Sequence, residues 1–517
     1  MQRLAQTEAH CLNIDICVRR MDAYADFAVG NARRPVETPR FCIPKGLSMS
    51  QMKSRRLALG LLTTVAGAPA LAADAPQPAV LDSVVVQGER NESKRSVEVQ
   101  TAPAAITSLS GAKLEEQGVN NVRDLGNIVP NLFQPKTAVS YLNSAFYLRG
   151  IGEPDAQGEP SVAVYFDDLY WPKNLGANLE LLDIDRVEIF RGPQGQAFGH
   201  SALAGVLRVS SSAPSQTTHL RGLVELGNFN DRKLGFAASG GLSDAVTGSA
   251  AATVHRRGGF TPNLTVGRDT NDVDYEAGRA KLNWKLNTDL DVGLTVGAVR
   301  DRSTARGVQN LAYGDEAAHN QIYPANSYDS HIVSGTANYR IDRHLSARLL
   351  LGYTHFDQLA FFDNTGDYYG RGSQLVRYID STHQAELQLL GRFDRVEFTA
   401  GLYNYTEDWF TNRRANTAAN AASDPALIRY RPVYTLINQG TDNQAAYTEA
   451  KFKAAQDLTL TAGLRYNREK HSHNNQLYNL VATAPYQSNA SNFLDAINAA
   501  PQALVWDTGP LSKTWTT

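Results

Sequence analysis

In the stretch Arg279-Ala280-Lys281-Leu282-Asn283-Trp284-Lys285-Leu286, apolar side chains occupy every second position and polar ones stand between them. This is the period of a β-strand with one apolar and one polar face. Val292, Leu294, Val296 and Ala298 repeat the pattern, as do Leu345, Ala347, Leu349, Leu351 and Tyr353, and Leu458, Leu460, Ala462, Leu464 and Tyr466. From Ser215 onward such segments run for about ten to fourteen residues between Asp/Asn/Gly turns, with no helical period among them. Strands of soluble sandwiches typically span about five or six residues, whereas a tilted strand crossing a bilayer needs about nine to eleven. Length therefore favours the bilayer. Lipid offers the backbone no hydrogen-bond partner, so spanning strands must form an antiparallel β-barrel, apolar outside and polar inside. Tyr353, Phe356, Trp409 and Phe410, near segment ends, are candidates for its interfacial aromatic girdle.

At 517 residues the chain is several times the usual domain size. Its 50 Lys+Arg against 52 Asp+Glu create no field that would draw nucleic acid. Gly 40 and Tyr 22 beside Cys 3 and Met 4 suit strands and turns better than helical bundles. From Met52, Lys53-Ser54-Arg55-Arg56 precedes an apolar run from Leu57 to Leu71 and the small-residue end Ala70-Leu71-Ala72. That is the order of a secretory signal, 49–72, and the run of about fifteen residues is short of a membrane-spanning helix. Cleavage is expected after Ala72, and residues 1–48 read as a mis-called extension ahead of a start at Met49 or Met52. Cys11, Cys17 and Cys42 all precede the cleavage point, so the mature chain is expected to hold no disulfide, reactive thiol or thiolate metal site.

Residues 73–95 read as an extended linker containing the β-prone run Asp82-Ser83-Val84-Val85-Val86-Gln87. Residues 96–214 read as an α+β unit, with helices at Gly111 to Gln117 and Val122 to Ile128, the latter stopped by Pro130. Its strands are expected at Ser144 to Arg149, Val162 to Asp167 and Asp185 to Phe190. Within it stand Pro130-Asn131-Leu132, Arg149-Gly150-Ile151-Gly152, Val162-Ala163-Val164-Tyr165-Phe166-Asp167-Asp168-Leu169-Tyr170 and Asp185-Arg186-Val187-Glu188-Ile189-Phe190-Arg191-Gly192-Pro193-Gln194-Gly195, followed by Phe198-Gly199. In that order and spacing they closely resemble the plug domain of TonB-dependent outer-membrane receptors, and Asp82 to Gln87 resembles the family's TonB box. His200-Ser201 and Ala204-Gly205 depart from the family's usual Arg-Asn and Gly-Gly in the closing plug segment. Gly150, Gly152, Gly192 and Gly195 allow conformations and close approach that a Cβ forbids. Arg149, Arg186 and Arg191 are candidates for ion pairs with Asp185 and Glu188, within the plug or to the wall.

The resemblance implies a fold: a β-class transmembrane antiparallel barrel, 215–517, with the plug in its lumen. Eleven strands are expected here, about half of the 22 of a plugged transporter. Two unpaired edges would be costly in lipid, so these 517 residues alone are expected not to form a working pore. Pro510 to Thr517 reads neither as a strand ending in an aromatic residue nor as a cap. The resemblance also implies location and function: the outer membrane of a Gram-negative bacterium, contact with its lipid, and active uptake of a scarce nutrient driven by the inner-membrane TonB complex through the box. A ferric siderophore is the expected cargo, with cobalamin, haem and carbohydrate as alternatives. A passive porin and a non-functional receptor fragment are the rival classes. No enzyme activity, cofactor, resident metal or nucleic-acid partner is expected, because no triad or phosphate loop appears. Ligand-binding candidates are Tyr170, Trp171, Lys173 and Asn174, whose aromatic and cationic groups suit a flat anionic iron chelate, with loop residues Tyr368, Tyr369 and Arg371. Glu153 to Pro160, Tyr323, Asp363 and Trp409 to Tyr434 are further loop candidates. His471 and His473 read as solvated residues of a polar loop, lacking a third ligand.

Overall fold

The computed structural model describes residues 105–135, 139–155, 158–193, 202–314, 316–320, 323–366, 372–418, 430–456, 458–480, 502–507, 509 and 511–516. The chain divides at residue 91; the signal and Asp82 to Gln87 lie outside the described residues, as do Gly195, Tyr368, Tyr369 and Arg371.

The α+β unit opens with β1 (Ala105–Ser110) and the short helix α1 (Gly111–Glu116), whose N-cap Ser110 accepts a hydrogen bond from the Lys113 amide. Residues 122–127 form a 3-10 helix entered through a capping box between Asn121 and Asp124. A small three-stranded sheet follows: β2 (Leu132–Phe133), β3 (Tyr147–Leu148) and β4 (Ile151–Gly152). Then come β5 (Val162–Phe166), β6 (Leu169–Trp171), β7 (Ile184–Arg191) and β8 (Gly205–Ser211), arranged β1-β7-β8-β5-β6 with β5 and β8 parallel. Strands β5 and β6 are buried throughout, which explains their continuous apolar reading. The helix expected at Gly111 forms. The second expected helix is a 3-10 turn, and the strand expected from Ser144 shrinks to Tyr147–Leu148.

The remainder is one large antiparallel sheet. It begins with β9 (His219–Gly227), β10 (Asp231–Gly241) and β11 (Val246–Arg257), then a loop hairpin, β12 (Thr261–Asn263) with β13 (Arg268–Thr270). It continues through β14 (Val273–Lys285), β15 (Leu290–Asp301), β16 (Ala325–Arg340), β17 (Leu345–Asp363), β18 (Ser373–Arg392), β19 (Val396–Ala418), β20 (Tyr430–Ala455) and β21 (Leu458–Leu480). Consecutive strands pair, except that β11 meets β14 across the hairpin. Eleven strands were expected in all; the sheet has eleven up to Leu480 and, among the described residues, two more. A further row follows, because β22 (Gln502–Asp507) and β23 (Leu511–Thr516) both pair antiparallel with β21, one after the other along it. Leu511 to Thr516 form a strand that ends on Thr516, with ladder partners in Arg468 to His473. Register across the chain, invisible to local periodicity, decides this.

Turns at one end of the sheet are tight, at 242–245, 286–289, 341–344 and 393–395, while the other end carries longer connections, including 258–272 and 302–324. Outward positions near the tight turns are apolar: Leu282 and Trp284, Leu294 and Val296, Leu387 and Leu389, Leu460 and Leu464 are exposed. Further along the same faces stand Arg256, Glu276, Arg300, His331, His355, His383, Asn404, Gln444 and Arg468. An apolar band closed by a polar row is what a bilayer demands of a wall. Strands β16 to β21, of 16 to 26 residues, outrun that band.

Parity corrects the expected girdle. Tyr353 and Phe410 face outward, but Phe356 and Trp409 fall on inward positions, 1% and 2% exposed. Phe356 stacks against Trp171 of the α+β unit at 6.2 Å and meets Trp409 edge-on at 6.0 Å. The core lies here, between the α+β unit and the inner face of the sheet, with Tyr275, Tyr328 and Val376 from the wall joining Val164, Leu207 and Ile189.

Candidate functional site

The surface that the α+β unit shares with the wall carries several buried ion pairs and hydrogen bonds, and it is organised by the β5–β6 hairpin. Phe166 pairs with Leu169 across a two-residue turn in which Asp167 and Asp168 have φ of 48° and 70°. Such a turn needs positive φ at both positions, which Asp tolerates better than most residues. The turn aims both carboxylates at the wall. Asp168 receives Arg208 at 2.9 Å and Arg348 of β17 at 2.7 Å, with all three side chains 13% exposed or less. Arg208 also holds Glu188 at 3.0 Å. Burial pushes the Glu188 carboxyl up despite Arg208 and Arg186 beside it. Asp167 accepts from Ser211 Oγ at 2.6 Å and meets Lys281 of β14 at 3.1 Å. Burial raises its pKa, but Lys281, Arg279 and the Ser211 hydrogen bonds prevail and hold it below the usual range. The Asp168 carbonyl and the Tyr170 amide both bond to the Gln384 side chain of β18. Leu169 packs where the wall has Gly352, at which a Cβ would stand 2.1 Å from Leu169 Cδ2.

Two more charged contacts bind the unit to the wall. Glu180 takes His255 Nδ1 at 2.8 Å and Lys233 Nζ, while His255 Nε2 meets Asp231 at 2.9 Å. Burial pushes Glu180 up; the His255 hydrogen bond and Lys233 outweigh it, leaving the carboxyl below its ordinary value. Lys173 meets Glu407 of β19 at 2.8 Å, both 4% exposed, and its ammonium lies 5.0 Å from the Trp409 ring centre. Burial lowers the Lys173 pKa, but Glu407 and Asp380 more than compensate, and it stays above the ordinary lysine value.

One of the expected ion pairs forms, Arg186 with Asp185, while the other residues take different partners. Arg186 pairs with its neighbour Asp185 at 2.7 Å, partly in solvent; Arg191 donates to the Pro130 carbonyl at 3.4 Å; the Arg149 side chain is exposed. Glu188 goes to Arg208, a residue of the closing segment that carried no assignment. Gly150 and Gly192 have φ of 82° and 91°, and a Cβ at Gly152 would stand 2.4 Å from the Tyr147 ring. These glycines answer to conformation and close packing.

Tyr170, Trp171, Lys173 and Asn174 are brought together but not opened to a ligand: all are 5% exposed or less. Tyr170 meets Tyr405 edge-on at 5.6 Å, Trp171 donates to the Leu175 carbonyl at 2.7 Å, and Asn174 donates to the Glu153 carbonyl at 2.8 Å. Glu407 neutralises Lys173, and the wall covers both rings. Asp363 closes its own turn by accepting from Thr365, Gly366 and Ser373. Tyr323 lies under the Arg268 guanidinium at 4.1 Å, and Tyr434 under that of Arg414 at 5.3 Å.

His471 and His473 sit on β21, not in a loop. Beyond the apolar band a strand is polar on both faces, so its local sequence resembles a loop while the ladder continues. The wall residues Arg348, Gln384, Glu407, Lys233 and His255 were not singled out from sequence. Their signal was a long polar side chain at an inward position of an alternating strand.

Residues 98–206 match the family model described as TonB-dependent Receptor Plug Domain. This unit is similar to a TonB-dependent receptor plug. The pesticin receptor of Yersinia enterocolitica is 24% identical over 400 residues, 74% of this chain and 55% of that protein. The ferrioxamine B receptor of Salmonella typhimurium is 23% identical over 146 residues, 28% of this chain and 20% of its own. Among solved structures, the ferric yersiniabactin uptake receptor FyuA from Yersinia pestis superposes with a TM-score of 0.63 at 18% identity, covering 80% of this chain and 61% of that one. The plug and wall therefore share the fold of that receptor, and the chain spans about half the length of the pesticin receptor.

Proposed function

We propose that this chain is part of an outer-membrane receptor of a Gram-negative bacterium that imports a ferric siderophore with energy from the inner-membrane TonB complex. One observation carries the reading: a plug is fastened to the polar inner face of a lipid-facing wall by buried ion pairs from Asp168, Glu180 and Lys173. A plug so held blocks passive flow, and several simultaneous buried contacts call for work to displace it. The cargo class follows the relatives, whose names specify ferrioxamine B and ferric yersiniabactin. Asp82 to Gln87 acts as the TonB box, an extended segment able to add as a strand to a partner's sheet. Domain limits of 73–95 for box and linker, 96–214 for the plug and 215–517 for the wall complete the reading.

The test is growth under iron limitation on a single ferric siderophore. Val84→Pro or Val85→Pro removes a backbone donor from the pairing segment and is expected to abolish growth while siderophore binding to whole cells persists. Undiminished growth of both variants would refute the assignment of the box.

A further inference from the structure

We propose that Glu159, Glu469 and His471 form a binding site for one divalent transition-metal ion that clasps the plug to the wall. Glu159 belongs to the plug, in the connection preceding β5, whereas Glu469 and His471 are inward neighbours on β21. Their three ligating atoms lie within 4.8 Å of one another, and His471 Nδ1 is 3.9 Å from Glu159 Oε1. Donors of a tetrahedral ion at about 2.1 Å are about 3.4 Å apart, so modest rotamer changes close the site. His471 now stands between both carboxylates, with Nε2 against Glu469. A hydrogen-bonded imidazole so placed marks where a cation is favoured.

A second observation points the same way. Asn443 of β20 lies directly across the ladder from Glu469 and is 0% exposed. It donates from Nδ2 to Glu469 Oε2 at 2.7 Å, yet its Oδ1 is buried without a hydrogen-bond partner. A buried amide oxygen left unbonded is costly, and turning the amide over brings that oxygen to Glu469's side. Two carboxylates, one imidazole and one amide oxygen make a donor set for Zn²⁺, Co²⁺ or Mn²⁺ rather than for soft Cu⁺. The side chains of Glu159, Glu469 and His471 are 44%, 23% and 30% exposed, so the site has an entry path. This inference concerns how the plug is held and does not depend on the cargo.

The experiment uses the full chain folded in detergent micelles, titrated with Co²⁺ and followed by its visible absorption, with Zn²⁺ as competitor. One equivalent is expected to bind with ligand-field bands that Zn²⁺ abolishes. Glu159→Gln, on an accessible plug connection, and His471→Gln are each expected to weaken binding by about tenfold or more, while His473→Gln leaves it unchanged. Zn²⁺ should raise the temperature at which the plug undocks in the parent chain but not in Glu159→Gln. Absence of binding in the parent overturns the proposal. So does binding that Glu159→Gln leaves intact, since the plug would then contribute nothing; far-UV circular dichroism establishes that each variant is folded.

Discussion

Asp168 and Arg348 are 180 residues apart in sequence and 2.7 Å apart in space, at the tip of the plug hairpin. Replacing Arg348 with Met removes one charge-assisted bond, but Asp168 keeps Arg208 at 2.9 Å. The carboxylate is not orphaned, so the cost is that of one such bond, about 1.5–3 kcal/mol. Asp168→Asn costs more. Arg348 loses the only carboxylate shown paired with it among the described residues, whereas Arg208 falls back on Glu188 at 3.0 Å. About 3 kcal/mol is expected, the low end for breaking a buried pair. In the double variant the shared bond is removed once instead of twice, so the two effects should fall short of additivity by about 2 kcal/mol, near 30-fold in the docking equilibrium. The assay is urea-induced undocking, followed by near-UV circular dichroism of the Trp171, Phe356 and Trp409 cluster. It applies where the wall's heat-modifiable mobility in electrophoresis is unchanged. A coupling below about 0.5 kcal/mol, the value of a solvent-exposed pair, would refute the claim that this buried fork holds the plug.

Gly352→Val should loosen docking by about 1–3 kcal/mol through overpacking against Leu169; the same urea assay reads this, and Leu169→Ala in that background should recover part of the loss. Glu180 is held below its ordinary pKa, so its contribution to docking is complete above the unfolded glutamate's pKa and is lost as pH falls through the lower, folded value. Glu180→Gln is therefore expected to dock more weakly at neutral pH and to flatten the acid limb of a docking–pH profile.

The wall was legible because one physical rule, apolar toward lipid and polar toward the lumen, writes itself into every second residue of β14, β15, β17 and β21. The same rule carried more than was read from it. Leu349, Leu351 and Tyr353 share a parity that Phe356 does not, and that alone places Phe356 inside. Of the β5–β6 hairpin, the first strand was legible; the turn at Asp167-Asp168 was not, since Asp167 reads as the end of that strand. What those two carboxylates bind was not legible. Arg348, Lys281 and Gln384 reach them through strand register accumulated over many turns, and no local spacing encodes it. The same holds for Glu407 with Lys173. A basic side chain beside two aromatic rings reads as a ligand clasp until a carboxylate 234 residues later is seen to neutralise it. His471 reads as solvated for a related reason: its partner Glu159 comes from the plug, more than 300 residues earlier.

The most direct test of the transport reading is accumulation of iron-55, supplied as the ferric siderophore on which growth depends, in cells making the full-length gene product, with and without a functional TonB protein. Surface binding is expected to be equal in the two strains, with accumulation only where TonB acts. Equal accumulation in both would contradict it, because a plug held by buried ion pairs would then be leaving its wall without the force proposed to move it.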